Sequence, residues 1–330
     1  MDFFAIGDIV TEPFIRLKDA RVHCNINDEA CEICMRWGDK IPYESATLCA
    51  AVGNASNAAV SAARLGVSSA LRAYVGRDAF GAECLEVLRK EGIDTEYMVT
   101  QDGKRTNYHY VLWFESQRTI LVKHEEFDYT VPALASDPKW VYLSSLAQNS
   151  LPYHTALLEW LKKYPNAKLA FQPGTFQMKL GKEALAGLYQ RSDVFFCNKE
   201  EAERILGLEV GTDMKTLLQQ MKALGPKVVV ITDDTRGCYA IDENSAMVHC
   251  PRYPDPRAPY EITGAGDALA STTVVALSLG KTLPEALRWG SANASAVLQK
   301  VGAQGGLLSR EELEKNIANP PAPWEIAPLS

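Results

Sequence analysis

The chain has 330 residues, 47% hydrophobic and 23% charged, the balance of a globular protein with a sizeable core. Its formal charge of −7 argues against nonspecific binding to nucleic acid or to an anionic membrane, and it contains no run of about eighteen uninterrupted apolar residues that would span a bilayer. The start, Met1-Asp2-Phe3-Phe4, has no basic n-region, so no signal peptide is expected and the eight cysteines read as reduced thiols of a cytoplasmic protein.

Phe3 to Ile9 is a short apolar run, expected as a buried first strand. A polar, cysteine-bearing stretch follows from about Arg16 to Thr47. Alanine-rich Ala50 to Leu65 reads as a helix entered from a glycine turn, Ser68 to Val75 as a strand, and Ala79 to Glu91 as a helix stopped at Gly92. Arg105 to Lys123 alternates and is rich in Tyr, Val, Thr and Trp, which predicts a strand pair or one long bent strand. From about Trp140 strands and helices alternate, with strands at Trp140–Leu143, Lys168–Gln172, Val194–Cys197 and Val228–Thr232. That alternation predicts an α/β fold whose parallel sheet is covered on both faces. Ala268 to Leu279 reads as a buried helix, and the proline-rich tail from Asn319 should run over the surface.

Chemistry concentrates at Thr263-Gly264-Ala265-Gly266-Asp267-Ala268. Two glycines and an alanine let a backbone turn lie close against a ligand. The helix that follows points its unpaired N–H groups at the same spot, which makes an anion site. An aspartate there competes with an anion unless it acts on something. The economical reading is a hydroxyl deprotonated by Asp267 while the Gly264, Ala265 and Gly266 amides hold phosphate charge. No G-x-x-x-x-G-K-[ST] occurs, so the turn takes the place of a P-loop.

That hexapeptide resembles the C-terminal signature of the ribokinase-like (PfkB) carbohydrate and nucleoside kinases. Further matches fall in the family's order: Val52-Gly53-Asn54-Ala55-Ser56-Asn57, Val75-Gly76-Arg77-Asp78-Ala79-Phe80-Gly81, Asn198-Lys199-Glu200-Glu201, Val230-Ile231-Thr232 through Gly237, and Gly302-Ala303-Gln304. The resemblance implies one three-layer α/β kinase domain over 1–330, with a mostly parallel central sheet. A small β-sheet lid would be built from segments at about 13–50 and 104–125. Exposed strand edges and apolar faces of such a lid favour association with a second subunit.

By the same resemblance Asp267 is the general base and Gly264, Ala265 and Gly266 form the anion hole. Asn198 and Glu201 take the metal and phosphate role with Mg²⁺, the carboxylate acting through water. Thr232 and Gly237 line the ATP phosphates and ribose, and Asn293 lies near adenine. Gly53, Asn54 and Asn57 face the acceptor, and one of Asp8 and Glu12 binds its hydroxyls. Three departures stand out. Val52 replaces the first glycine of its motif, Asp233 and Asp234 fall where a triphosphate is expected, and Glu261 replaces an aspartate common in members that use potassium. One extra methylene moves that carboxylate by about 1.5 Å, so the expected monovalent cation (potassium) site is altered or absent.

Cys31-x-x-Cys34, with His23 or Cys24, has the spacing of half a zinc site, but no second C-x-x-C follows and ordinary thiols are the favoured reading. Tyr108, Tyr110, Trp113 and Phe114 read as lid packing, although one ring could stack on a substrate. The expected function is ATP-dependent phosphorylation of a sugar or sugar-like hydroxyl. Its rivals are a nucleoside kinase and a nonenzymatic ligand sensor on the same fold, for which an intact Asp267 would be superfluous.

Overall fold

The computed structural model describes residues 1–24 and 31–329. Among these, a nine-stranded sheet runs in the order Ala327–Pro328, Met247–Cys250, Cys238–Ile241, Val228–Thr232, Val194–Asn198, Lys168–Phe171, Trp140–Leu143, Phe3–Ile6, Ser69–Arg72. The six strands from Val228–Thr232 to Ser69–Arg72 are mutually parallel. Side chains alternate across a strand, and here both faces are apolar. Phe3, Ala5, Tyr142, Ala170, Phe196 and Val230 belong to one buried cluster. Their strand neighbours Phe4, Ile6, Val141, Leu143, Phe195 and Val229 belong to the other. Helices Asn54–Arg64, Ala265–Ser278 and Leu283–Val297 cover the first face, and Leu151–Leu161, Ala186–Arg191 and Met214–Ala223 the second. The result is the expected three-layer α/β arrangement.

The last three strands are the antiparallel part of this mostly parallel sheet, each pairing antiparallel with its neighbour. Only Asp233 to Gly237 separate Thr232 from Cys238, too short for the crossover a parallel strand needs. The proline-rich tail also does more than run over the surface. Trp324 is buried against Tyr253 and donates through Nε1 to the Pro251 carbonyl, and Ala327–Pro328 forms the sheet edge.

A second sheet stands apart. It joins Val10–Leu17, Tyr43–Val52, Tyr110–Phe114 and Gln117–Leu121, with Asn107–Tyr108 added beside Val10. Residues 25–30 of the first segment expected here lie outside the described residues. The helix read over Ala50 to Leu65 starts later, at Asn54, because Tyr43–Val52 carries Ala50 and Ala51 as its end. Two of the cysteines are also not free thiols: Cys24 and Cys31 form a disulfide, so Cys31 does not stand with Cys34 as a thiolate pair.

Candidate active site

The parallel strands end together, and their C-terminal ends are where open α/β sheets bind ligands. Gln172 follows Lys168–Phe171, Asn198 ends Val194–Asn198, and Thr232 ends Val228–Thr232; all three border a cleft of about 560 Å³. The small sheet contributes Glu12, Arg118 and Ile120 to the same cleft.

Gly264 makes the turn possible. Its φ of +86° is unfavourable for any side chain, and a Cβ would lie 2.4 Å from that of Ala303. The helix begins at Ala265, three residues earlier than the apolar run suggests, because Ala265 and Gly266 already fit the helical path. Asp267 therefore occupies the first helical turn, where the amides of Ala265, Gly266 and Asp267 have no partner within the helix. A Cβ on Gly266 would meet nothing within 4 Å, so its face is open to the cleft.

Asp267 is buried, 7% exposed as a residue, and its carboxylate is held by three amides. Asn54 Nδ2 donates to Oδ1 at 2.7 Å, Asn57 Nδ2 to Oδ2 at 2.8 Å, and Gln172 Nε2 to Oδ1 at 3.1 Å. Burial raises its pKa above the ordinary aspartate value, against the three hydrogen bonds that stabilise the charge. Gly53 brings both asparagines into place. Its φ is +112°, and a Cβ would lie 2.8 Å from the Asp8 carbonyl oxygen.

At the other end of the cleft Asn198 and Glu201 form a reciprocal helix cap. Glu201 N donates to Asn198 Oδ1 at 2.8 Å, and Asn198 N to Glu201 Oε2 at 2.9 Å. Burial raises the Glu201 pKa, and no salt-bridge partner stands beside it among the described residues. Asp233 and Asp234 also face this end, beside Thr232.

Residues 24–310 match the family described as pfkB family carbohydrate kinase. The chain belongs to that family. It is therefore a phosphotransferase with a hydroxyl acceptor. Among curated relatives, a ribokinase of Bacillus subtilis is 27% identical over 80% of this chain and 86% of its own. A 5-dehydro-2-deoxygluconokinase of the same organism is 25% identical, over 80% and 86%. A fructokinase of Vibrio alginolyticus is 25% identical over 83% and 94%. Two solved structures show the fold. A putative ribokinase from Agrobacterium tumefaciens has a TM-score of 0.80 at 20% identity, covering 96% of this chain and 97% of that one. Arabidopsis thaliana ribokinase, complexed with ribose and ATP, has 0.78 at 19%, covering 96% and 98%.

Several residues of this pfkB-family chain sit elsewhere than the motifs suggest. Asn293, expected near adenine, is fully buried; its amide donates to Thr272 Oγ1 (2.8 Å) and accepts from Leu308 N (3.0 Å). It packs helices and does not border the cleft. Gly237 ends the hairpin link and packs against Cys250 and Arg252 outside the cleft lining; its carbonyl accepts from Asp233 N at 2.8 Å and its N–H donates to the Asp234 carbonyl at 3.3 Å. Of the carboxylate pair, Glu12 borders the cleft and is paired with His109 Nδ1 at 3.3 Å. Asp8 is buried instead, accepting from Tyr129 Oη at 2.9 Å and lying 3.1 Å from His124 Nδ1. Glu261 uses both oxygens on protein donors: Oε1 accepts from Thr263 N (2.8 Å) and Oε2 from Gly302 N (3.2 Å). It braces the signature turn against the Gly302 loop.

The motifs did not reveal Gln172; Arg118, which the sequence offers with Arg105 and Lys123 as a basic residue of the lid segment, borders the cleft. Arg118 has no salt-bridge partner among the described residues, and its buried Nε has no hydrogen-bond partner. The aromatic residues of the same segment turn away. Tyr108 packs on Phe80 and Tyr110, and Trp113 on Tyr260 and Arg16.

Proposed function

We propose that this pfkB-family kinase transfers the γ-phosphoryl group of ATP to a primary hydroxyl of a sugar or sugar-like acceptor. The carrying observation is Asp267, set in the first turn of a helix beside open amides and gripped by Asn54 and Asn57. The acceptor hydroxyl donates to Asp267 Oδ2, the oxygen with a single protein donor. As its oxygen bonds to the γ-phosphorus and ADP leaves, Asp267 takes the proton. The amides of Ala265, Gly266 and Asp267 hold the charge that collects on the phosphoryl oxygens.

The nucleotide lies over Asn198, Glu201 and Thr232. Mg²⁺ fits this end, because Glu201 offers a hard carboxylate that has no salt bridge among the described residues, and Asn198 an oxygen at the same rim. When bound, the ion supplies countercharge for the phosphates. Glu261 is assigned its bracing role in place of cation binding. The relatives named ribokinase and fructokinase support a sugar acceptor. So does the absence, among the described residues bordering the cleft, of the lid aromatics that a nucleoside base would stack on. The small sheet acts as a lid that excludes water, and the chain works in the cytoplasm, where ATP is available.

An acceptor panel tests this reading. Ribose, fructose, 2-keto-3-deoxygluconate, adenosine, inosine and cytidine are each offered with ATP and Mg²⁺, and ADP release is followed. Asp267-dependent turnover of a sugar is expected. Turnover of nucleosides alone would move the assignment, and ligand binding with no turnover on a wider panel would favour a sensor.

The small sheet also exposes Tyr43, Leu48 and Tyr110. We assign this apolar surface to a homodimer through the lid. Sedimentation velocity should give a dimer for the wild type and a monomer for Leu48→Glu; a monomeric wild type at micromolar concentration rejects the assignment.

A further inference from the structure

Of the three amides around Asp267, two come from one helix, and the third arrives from the sheet with a partner of its own. Gln172 follows the strand Lys168–Phe171, and its backbone is fixed at both ends. Its N–H donates to the Leu143 carbonyl (2.9 Å), and its carbonyl accepts from Ser144 Oγ (2.9 Å). With the backbone pinned, the side chain reaches Asp267 through Nε2 while Oε1 accepts from the Tyr142 hydroxyl. Tyr142 is fully buried in the neighbouring strand, stacked on Phe3 with ring centroids 5.5 Å apart.

We infer that Tyr142 and Gln172 are positioning residues that hold the base in its ionised state. The inference rests on the reading of Asp267 as general base. While Asp267 is ionised, an amide oxygen turned toward it would be repelled, so Gln172 must present Nε2. Tyr142 then donates to Oε1 and fixes that orientation. Burial, with the Asp267 charge adding to it, pushes the Tyr142 phenol well above its ordinary range, so it keeps its proton for this task.

Asn57 is fixed in the same sense by another route, its Oδ1 accepting from Gln304 Nε2 at 3.0 Å. Both amides therefore turn N–H groups toward the ionised carboxylate.

The test is the pH dependence of turnover in Tyr142→Phe and Gln172→Leu, with the sugar accepted by the wild type, ATP and Mg²⁺. Asp267 must be ionised to act, so activity falls as pH drops through its raised pKa. Loss of a donor to the charged form raises that pKa further. In both variants the acid limb of kcat should move up by about one pH unit, the scale of one hydrogen bond to a charged group. At the wild-type optimum kcat should fall about 3- to 30-fold, with KM for ATP and sugar held within about twofold, and Tyr142→Phe should add nothing in a Gln172→Leu background. Thermal melts accompany each variant, and Tyr142→Phe, which keeps the buried ring, carries the test if Gln172→Leu does not fold. Acid limbs that coincide with the wild type, or effects of the two changes that simply multiply, overturn the inference. If Asp267→Asn remains active, the base assignment itself has failed, and the two failures are told apart.

Discussion

Replacing Asp267 by Asn should lower single-turnover phosphoryl transfer by ~10²–10⁴, the usual contribution of a positioned base, with little change in ATP affinity. The change is isosteric and removes a buried charge whose pKa burial has already raised. A carboxylate with a raised folded-state pKa opposes folding once pH exceeds its ordinary value, because ionisation then costs more in the native site than in the unfolded chain. The amide carries no such cost. It does face three amide donors, of which Asn57 is held by Gln304, so one contact becomes donor against donor. These opposing terms should leave the melting temperature within a few degrees of wild type. Transfer within threefold of wild type would reduce Asp267 to a helix-start residue.

Two glycines of the same turn should separate stability from chemistry. Gly264→Ala forces a side chain to φ +86° and drives its Cβ to 2.5 Å from Ala303 Cα. Left-handed strain of about 1–2 kcal/mol and overpacking of about 1–3 kcal/mol should together lower stability by roughly 2–5 kcal/mol. Activity falls with it, since the Ala303 loop and the turn must separate. Gly266→Ala meets no protein atom and replaces a helical glycine, a change worth roughly 0.5–1 kcal/mol in favour of the fold. Its methyl group nevertheless stands at the open face of the anion site, where transfer should drop by ~10², the scale of losing one oxyanion donor. Chemical denaturation and single-turnover assays on both variants check this. Equal destabilisation of the two, or a fully active Gly266→Ala, would remove the anion site from this turn.

What could be read in the sequence was what neighbouring residues write together. Thr263 to Ala268 and Gly53 to Asn57 are consecutive, so turn, helix start and side-chain type appear in one glance. The strands Trp140–Leu143 and Val228–Thr232 declared themselves by short apolar runs. Gln172 had no such signal: it lies 95 residues from Asp267, and only the strand order brings them together. Arg118 faces the cleft because of its register in a two-strand pair, Trp113 opposite Arg118, which alternation alone does not set. Asn293 shows the converse. In sequence it resembles a site asparagine as closely as Asn57 does; both are buried, but Asn57 reaches Asp267 while Asn293 bonds to Thr272 and Leu308. The antiparallel end of the sheet was concealed by a strand pattern that looks the same in either direction, while the five-residue link before Cys238 was the overlooked clue.

The most direct test of a phosphotransferase with Asp267 as base is the phosphorus NMR spectrum of its product. Wild-type protein and Asp267→Asn are incubated in parallel with ATP, Mg²⁺ and the sugar that supports ADP release. A new phosphomonoester signal should appear with the wild type alone, split into a triplet by the two protons of a primary carbon. Inorganic phosphate as the sole product, or the same ester formed at the same rate by Asp267→Asn, would contradict the account.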